Sequence, residues 1–284
     1  MLYETIDLYE YFSLPRGKNE GGKLTVYAHE HKVKICDKVR PAMLVVPGGG
    51  YSFVSERENE PIAIAFFGAG YVAFSLEYTV NTPYPVPLIE GAMAMAFIRL
   101  EAEKYGVNPA QVGVIGFSAG GHLAGMLATM FDDEAVCAAL KKNAALVRPD
   151  AAILSYAVLT TDEKTTHGGT ARMISGGDKA LREKLSLEKR VTDKSSPAFL
   201  WHTVTDGAVP VENALLMALA YRQAGVPFEL HIYEEGVHGL SLATLETCDS
   251  TDSPSYNESA QSWVQLALTW LKHRGFAILT KPAQ

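Results

Sequence analysis

The sequence predicts an α/β fold in which a mainly parallel central sheet is covered by helices on both faces. Three observations lead there. Short apolar runs alternate with helical patterns along most of the 284 residues. Runs such as 112–116 (VGVIG) and 151–155 (AAILS) have no polar face, as strands buried on both sides require. The intervening segments are long enough for helical crossovers and too long for hairpins.

Each element has a local cause. Residues 43–46 (MLVV) form a short strand that breaks at Pro47-Gly48-Gly49-Gly50. A helix over 61–69 starts with Pro61 in its first turn, where a missing N–H costs nothing. Residues 71–77 read as a strand, and 87–105 as a helix entered through Pro87 and left before Gly106. The strand 112–116 leads into 119–131, whose small and apolar residues suit a helix lying on a sheet. Strands follow at 151–155, 198–203 and 228–233. A helix over 211–224 ends at Gly225, a good C-cap, and a last helix spans 260–273. Residues 158–197 are polar, contain Gly168-Gly169 and Gly176-Gly177, and predict an insertion over one end of the sheet. Residues 244–259 read as loop. With no internal repeat, the expectation is one domain over 1–284 with a cap-like insertion at about 158–197.

Composition narrows the function. A hydrophobic fraction of 48% and a charged fraction of 20% are those of an ordinary globular protein. The net charge of −7, without any Lys/Arg run, argues against nucleic acid as a partner. No uninterrupted apolar stretch of about 18 residues exists, so no membrane span is expected. The N-terminus has early acidic residues and no apolar segment, unlike a secretory signal. Cys36, Cys137 and Cys248 are odd in number and show no C-x-x-C spacing, which argues against a disulfide framework and favours a reducing, cytoplasmic setting. A homo-oligomer is left open.

The strongest chemical signal is Gly116-Phe117-Ser118-Ala119-Gly120, a G-x-S-x-G between a predicted strand and a predicted helix. That context makes a sharp turn with Ser118 at its apex and a helix N-terminus behind it. A serine hydroxyl is a weak nucleophile and needs a base oriented by a carboxylate. After a G-x-S-x-G turn these follow in the order acid, then histidine. Asp206 directly follows the strand AFLWHT, at the end where α/β folds place functional groups. Asp150 precedes its strand, and Asp178 and Asp193 lie in the insertion, so Asp206 is preferred. His238 follows the strand FELHIY between Gly236 and Gly239, in a loop suited to aiming an imidazole. His202 and His231 fall inside strands. His122, four residues after Ser118 on the same helix, reads as structural. His167 in the insertion is a weak candidate for substrate contact. His29 and His31 form a lone H-x-H, better read as an exposed hairpin face than as a metal site. The glycines after MLVV leave backbone N–H groups free, so Gly49, Gly50 and Ala119 are candidate oxyanion donors. Tyr51 adjoins that loop and is placed by position to narrow the acyl side. Trp201 either offers a sugar a stacking face or, the favoured reading, is a buried ring in the strand before Asp206.

These residues together resemble the α/β-hydrolase superfamily. The segment Tyr78-Thr79-Val80-Asn81-Thr82-Pro83-Tyr84-Pro85-Val86-Pro87 is similar to one in its acetyl esterase and hormone-sensitive-lipase-like branch. A closer resemblance is to small bacterial esterases of the acetyl-xylan esterase type, through PGGGY, GFSAGGHLA, FLWHT-x-x-D-x-x-VPVEN and G-x-HGL. Pro47 stands where many lipases have the histidine of H-G-G-G, which weakens any analogy to lipid substrates. The resemblance implies an α/β-hydrolase fold, with Ser118 as nucleophile, Asp206 as orienting acid and His238 as base. It also implies hydrolysis of short-chain, acetyl-type esters whose alcohol is a sugar. No metal or organic cofactor is required by this chemistry. A peptidase of prolyl-oligopeptidase type uses the same residue order, but only 46 residues precede Pro47 here, too few for the large extra domain of those enzymes. A hydrolase-fold binding protein without catalysis would commonly lack the serine or the histidine.

Overall fold

A computed structural model describes residues 1–17, 21–30 and 38–280. The strands are β1 (Leu2–Asp7), β2 (Lys23–Ala28), β3 (Lys38–Val46), β4 (Val72–Glu77), β5 (Val107–Phe117), β6 (Ala151–Ser155), β7 (Ala198–Thr203), β8 (Phe228–Tyr233) and β9 (Leu279–Thr280). The helices are α1 (Leu8–Phe12), α2 (Glu60–Gly68), α3 (Val86–Leu100), α4 (Ala102–Tyr105), α5 (Ser118–Thr129), α6 (Glu134–Leu140), α7 (Gly168–Ser175), α8 (Lys179–Lys184), α9 (Glu212–Ala224) and α10 (Ser262–His273). The sheet order is β1-β2-β4-β3-β5-β6-β7-β8, with β9 pairing β3. From β4 to β8 every pairing is parallel, whereas β2 runs antiparallel to both β1 and β4. The fold is therefore the mainly parallel, helix-covered sheet expected.

Alternation along the central strands explains why it is covered on both faces. Leu44, Val114, Leu154 and Leu200 join the core shared with α3 and α5. Their neighbours Val45, Ile115, Ile153, Phe199 and Trp201 point the other way, into a second core with Ile62 and Phe66 of α2 and Trp263, Ala267 and Trp270 of α10. Successive side chains on a strand alternate sides, so a run with no polar residue has apolar surface to bury on both.

Some boundaries differ from expectation. The helix expected over 87–105 is two helices, because Glu101 leaves helical geometry (φ −98°, ψ 16°) before α4 ends on Gly106 in the left-handed region. The N-terminal strands β1 and β2 carried no clear signal in the sequence. His29 follows β2 and is not on an exposed face: it is half-buried, stacked on Phe67 with ring centroids 4.0 Å apart, and bonded through Nε2 to the Tyr71 carbonyl. Its partner His31, and Cys36, lie outside the described residues. Between β6 and β7 the polar segment holds α7 and α8, anchored by buried Ile174, Leu185 and Leu187. Among the described residues no helix is long and apolar enough to cross a membrane.

Candidate active site

Ser118 is the first residue of α5, directly after β5. Its φ of 53° is left-handed, a conformation that costs a non-glycine residue energy and persists only when its surroundings impose it. The surroundings here are tight. A Cβ at Gly116 would collide with the Gly120 carbonyl, and one at Gly120 with the carbonyls of Val46 and Pro47. Only glycine lets β3, β5 and α5 approach this closely.

Ser118 Oγ lies 2.8 Å from His238 Nε2, and His238 Nδ1 lies 2.7 Å from Asp206 Oδ2. An ionised carboxylate only accepts, so Nδ1 carries the ring's proton and Nε2 is left to accept from the serine hydroxyl. The other Asp206 oxygen accepts the backbone N–H groups of Ala208 and Val209, each at 2.9 Å. Burial alone would raise the Asp206 pKa. The bond to His238, that ring's charge and the two N–H donors outweigh burial, and the carboxyl is held below its usual range.

Gly48-Gly49-Gly50 follows β3 and turns back beside Ser118. Gly49 and Gly50 have φ of 124° and 64°. The backbone N–H groups of Gly49, Gly50 and Ala119 make no hydrogen bond among the described residues. The loop is held from beneath by Glu58, whose buried carboxylate accepts Gly48 N–H at 2.8 Å through Oε2. Oε1 accepts the Tyr156 hydroxyl at 2.7 Å, and that hydroxyl accepts Ser241 N–H at 2.9 Å. Ser241 is three residues beyond His238, and its carbonyl accepts Trp263 Nε1 at 2.9 Å. One chain of bonds thus ties the glycine loop to the histidine loop. The Tyr156 ring also meets the His238 imidazole edge-on, centroids 5.2 Å apart. Burial, then the charge of Glu58, pushes the Tyr156 pKa well up and keeps it a donor. Neither Glu58 nor Tyr156 stands out in the sequence.

Tyr51 departs from expectation, and Trp201 follows its favoured reading as a buried ring. Tyr51 has a φ of 60°, which turns its ring inward. It is fully buried, and its hydroxyl bonds His122 Nδ1 at 2.9 Å, so it does not narrow the acyl side. His122 Nε2 lies 2.9 Å from the Leu185 carbonyl and must donate to it, leaving Nδ1 to accept from Tyr51. Burial lowers the His122 pKa to about 4, so the ring is neutral and joins the glycine loop, α5 and the insertion. Trp201 is likewise fully buried, stacked on Trp263 at 5.2 Å, with Nε1 donating to Ser155 Oγ at 2.8 Å. No face of it is open to a sugar. Asp150 pairs with Arg99 at 2.9 Å, away from Ser118.

A cleft of about 1130 Å³ opens over Ser118 and His238. The glycine loop, residues 52–58 and, from the segment around α7, His167, Arg172 and Met173 line it. Its volume suits a small organic molecule.

A serine on a strand–helix elbow, facing histidine and carboxylate from later strand ends, defines an α/β-hydrolase. The chain belongs to the BD-FAE family, whose model matches residues 31–220. It is 39% identical over 235 residues to endo-1,4-beta-xylanase B of Butyrivibrio fibrisolvens, covering 78% of this chain and 35% of that protein. To the acetylxylan esterase of Xylanibacter ruminicola it is 30% identical over 214 residues, covering 72% and 42% respectively. The chain therefore spans less than half the length of these two relatives. Among solved structures, an acetyl ester-xyloside bifunctional hydrolase from Caldicellulosiruptor lactoaceticus matches with a TM-score of 0.80 and 32% identity, covering 96% of this chain and 97% of that one. The carboxylesterase Cest-2923 from Lactobacillus plantarum matches with a TM-score of 0.81 and 28% identity, covering 97% and 98%.

Proposed function

We propose that this chain is a serine carboxylesterase that removes short acyl groups, acetyl foremost, from carbohydrate esters. The observation that carries this reading is the continuous relay Asp206–His238–Ser118, at 2.7 and 2.8 Å, on the floor of an open cleft. Similarity to an acetylxylan esterase and to an acetyl ester-xyloside hydrolase supports the substrate class.

His238 Nε2 takes the Ser118 proton as Oγ attacks the ester carbonyl. Asp206 holds the ring and stabilises its cationic form. The N–H groups of Gly49, Gly50 and Ala119 receive the oxyanion, each such donor typically worth about 3–4 kcal/mol of barrier. His238 then gives its proton to the departing alkoxide, leaving an acyl-Ser118 ester. Water attacks that ester as the same nitrogen takes its proton, and His238 returns the proton to Ser118 Oγ as the acid leaves. The described residues act as one hydrolase domain, with the segment at about 158–197 as a partial cap over the cleft. A reducing, cytoplasmic setting is the matching location, supported by the unpaired Cys137 and Cys248.

The test is acetate release from a panel of acetylated xylo-oligosaccharides and simple sugar acetates. Ser118→Ala should lose at least about 10⁴-fold in kcat/KM. Equal rates in that variant and the parent would refute the reading.

A further inference from the structure

His167 is the N-cap of α7 and lines the cleft with Ser118 and His238. Its hydrogen bonds decide which ring nitrogen faces the cleft. The Thr170 backbone N–H donates to Nδ1 at 3.2 Å, and Thr170 Oγ1 lies 2.8 Å from the same atom. A nitrogen that accepts a backbone N–H carries no proton, so the neutral ring has its hydrogen on Nε2. Nε2 has no hydrogen bond with a described residue. Burial, and then the charge of His238, disfavours a second proton on the ring. His167 therefore presents a single neutral donor beside the triad without adding a charge that would compete with His238.

The side of the ester it meets follows from the chemistry. The carbonyl oxygen belongs at the glycine loop, and the leaving oxygen belongs at His238, which must protonate it. His167 lines the same cleft as Ser118 and His238. An acetyl group offers no acceptor beyond the carbonyl oxygen that the glycine loop takes, so a further donor in this cleft has the alcohol half to bind.

We propose that His167 Nε2–H is a substrate-positioning donor for the alcohol half of the ester, binding the oxygen on the carbon next to the esterified one. The favoured substrates are then acetates of polyols with a free vicinal hydroxyl, as in a partly acetylated pyranose, over acetates of simple alcohols. This rests on the esterase reading above. A site built to hydrogen-bond a substrate hydroxyl discriminates against the analogue lacking it, because the donor is then left unpaired.

The test uses two esters that differ by one hydroxyl: trans-2-hydroxycyclohexyl acetate and cyclohexyl acetate. The parent chain should prefer the hydroxylated ester by about tenfold or more in kcat/KM. Two variants separate donor from cap. His167→Asp keeps an N-cap acceptor for α7 and, ionised, has no donor to offer the cleft. His167→Ala removes both. The preference should fall to about threefold or less in each, with the Asp variant unfolding at the parent's temperature. An unchanged preference in the Asp variant overturns the inference, whatever happens to the absolute rates. So does a parent that shows no preference. If the parent releases acetate from neither ester, the esterase reading fails as well, which is a distinguishable result.

Discussion

Tyr156→Phe removes one oxygen and leaves the ring, and the structure gives the size of the effect. The hydroxyl donates to Glu58 Oε1 at 2.7 Å and accepts from Ser241 N–H at 2.9 Å, all three residues being buried. Losing a hydrogen bond to a carboxylate costs about 1.5–3 kcal/mol, and stranding a buried N–H about 1–3 kcal/mol. Partial relaxation reduces the sum, so about 3 kcal/mol of destabilisation is expected. The ring still packs on His238, so that contact is not what changes. What changes is the tie between the glycine loop and the histidine loop, and kcat/KM for p-nitrophenyl acetate should fall about 10- to 100-fold, since small misplacements of catalytic groups are costly. Urea unfolding and initial rates measure the two effects. Glu58→Gln breaks the same chain, because its amide nitrogen cannot accept the Tyr156 proton while its oxygen serves Gly48. The double variant should therefore be less destabilised than the sum of the singles, by about 1 kcal/mol or more. A Tyr156→Phe protein within about 0.5 kcal/mol of the parent, or additive losses in the double variant, would refute a working link through this hydroxyl.

Three other outcomes are expected. Asp206→Asn should cut kcat by about 10⁴-fold through loss of the ring's correct tautomer. Because the Asp206 pKa lies below its ordinary 3.8 in the folded chain, its stabilisation is present above that value and lost as pH falls through the folded pKa. The variant's acid-unfolding curve should lack that contribution. His122 has a folded pKa of about 4 against 6.5 unfolded, so the unfolded chain takes up a proton first as pH falls. Stability should drop by about 3 kcal/mol between those values and level off below. His29, His167 and His202 shift the same way, so the measurement is the difference in slope between parent and His122→Gln over pH 7 to about 4. Gly48→Ala would bring a methyl within 2.6 Å of Glu58 Oε2 and 3.0 Å of Ser118 Cβ. That overpacking should cost about 1–3 kcal/mol by urea titration, and activity should fall with it.

Sequence signals were readable where the cause of a feature is local. The strand VGVIG, the glycines around Ser118 and the glycines flanking His238 each show their role within a few residues. Chain order and strand ends then singled out Asp206 from the other carboxylates. Features without a local cause did not show. Glu58 and Tyr156 meet across 98 positions, and no pattern near either announces the other. Tyr51 misled for a related reason: adjacency to the glycine loop predicted a wall of the cleft, but its backbone turns the ring into the core.

The amino-acid sequence by itself determined the alternating strands and helices, the two-faced burial of the central sheet and the Ser118 elbow. These depend on side-chain periodicity and on backbone permissions, which are properties of short segments. Tertiary structure alone decided which polar groups close on one another: Tyr51 on His122, Glu58 on Tyr156, and His167 on Thr170 with Nε2 left to the cleft. A hydrogen bond depends on distance and direction to within a few tenths of an ångström. That precision exists only after separate segments have packed, and it makes His167 a donor and Tyr51 a strut.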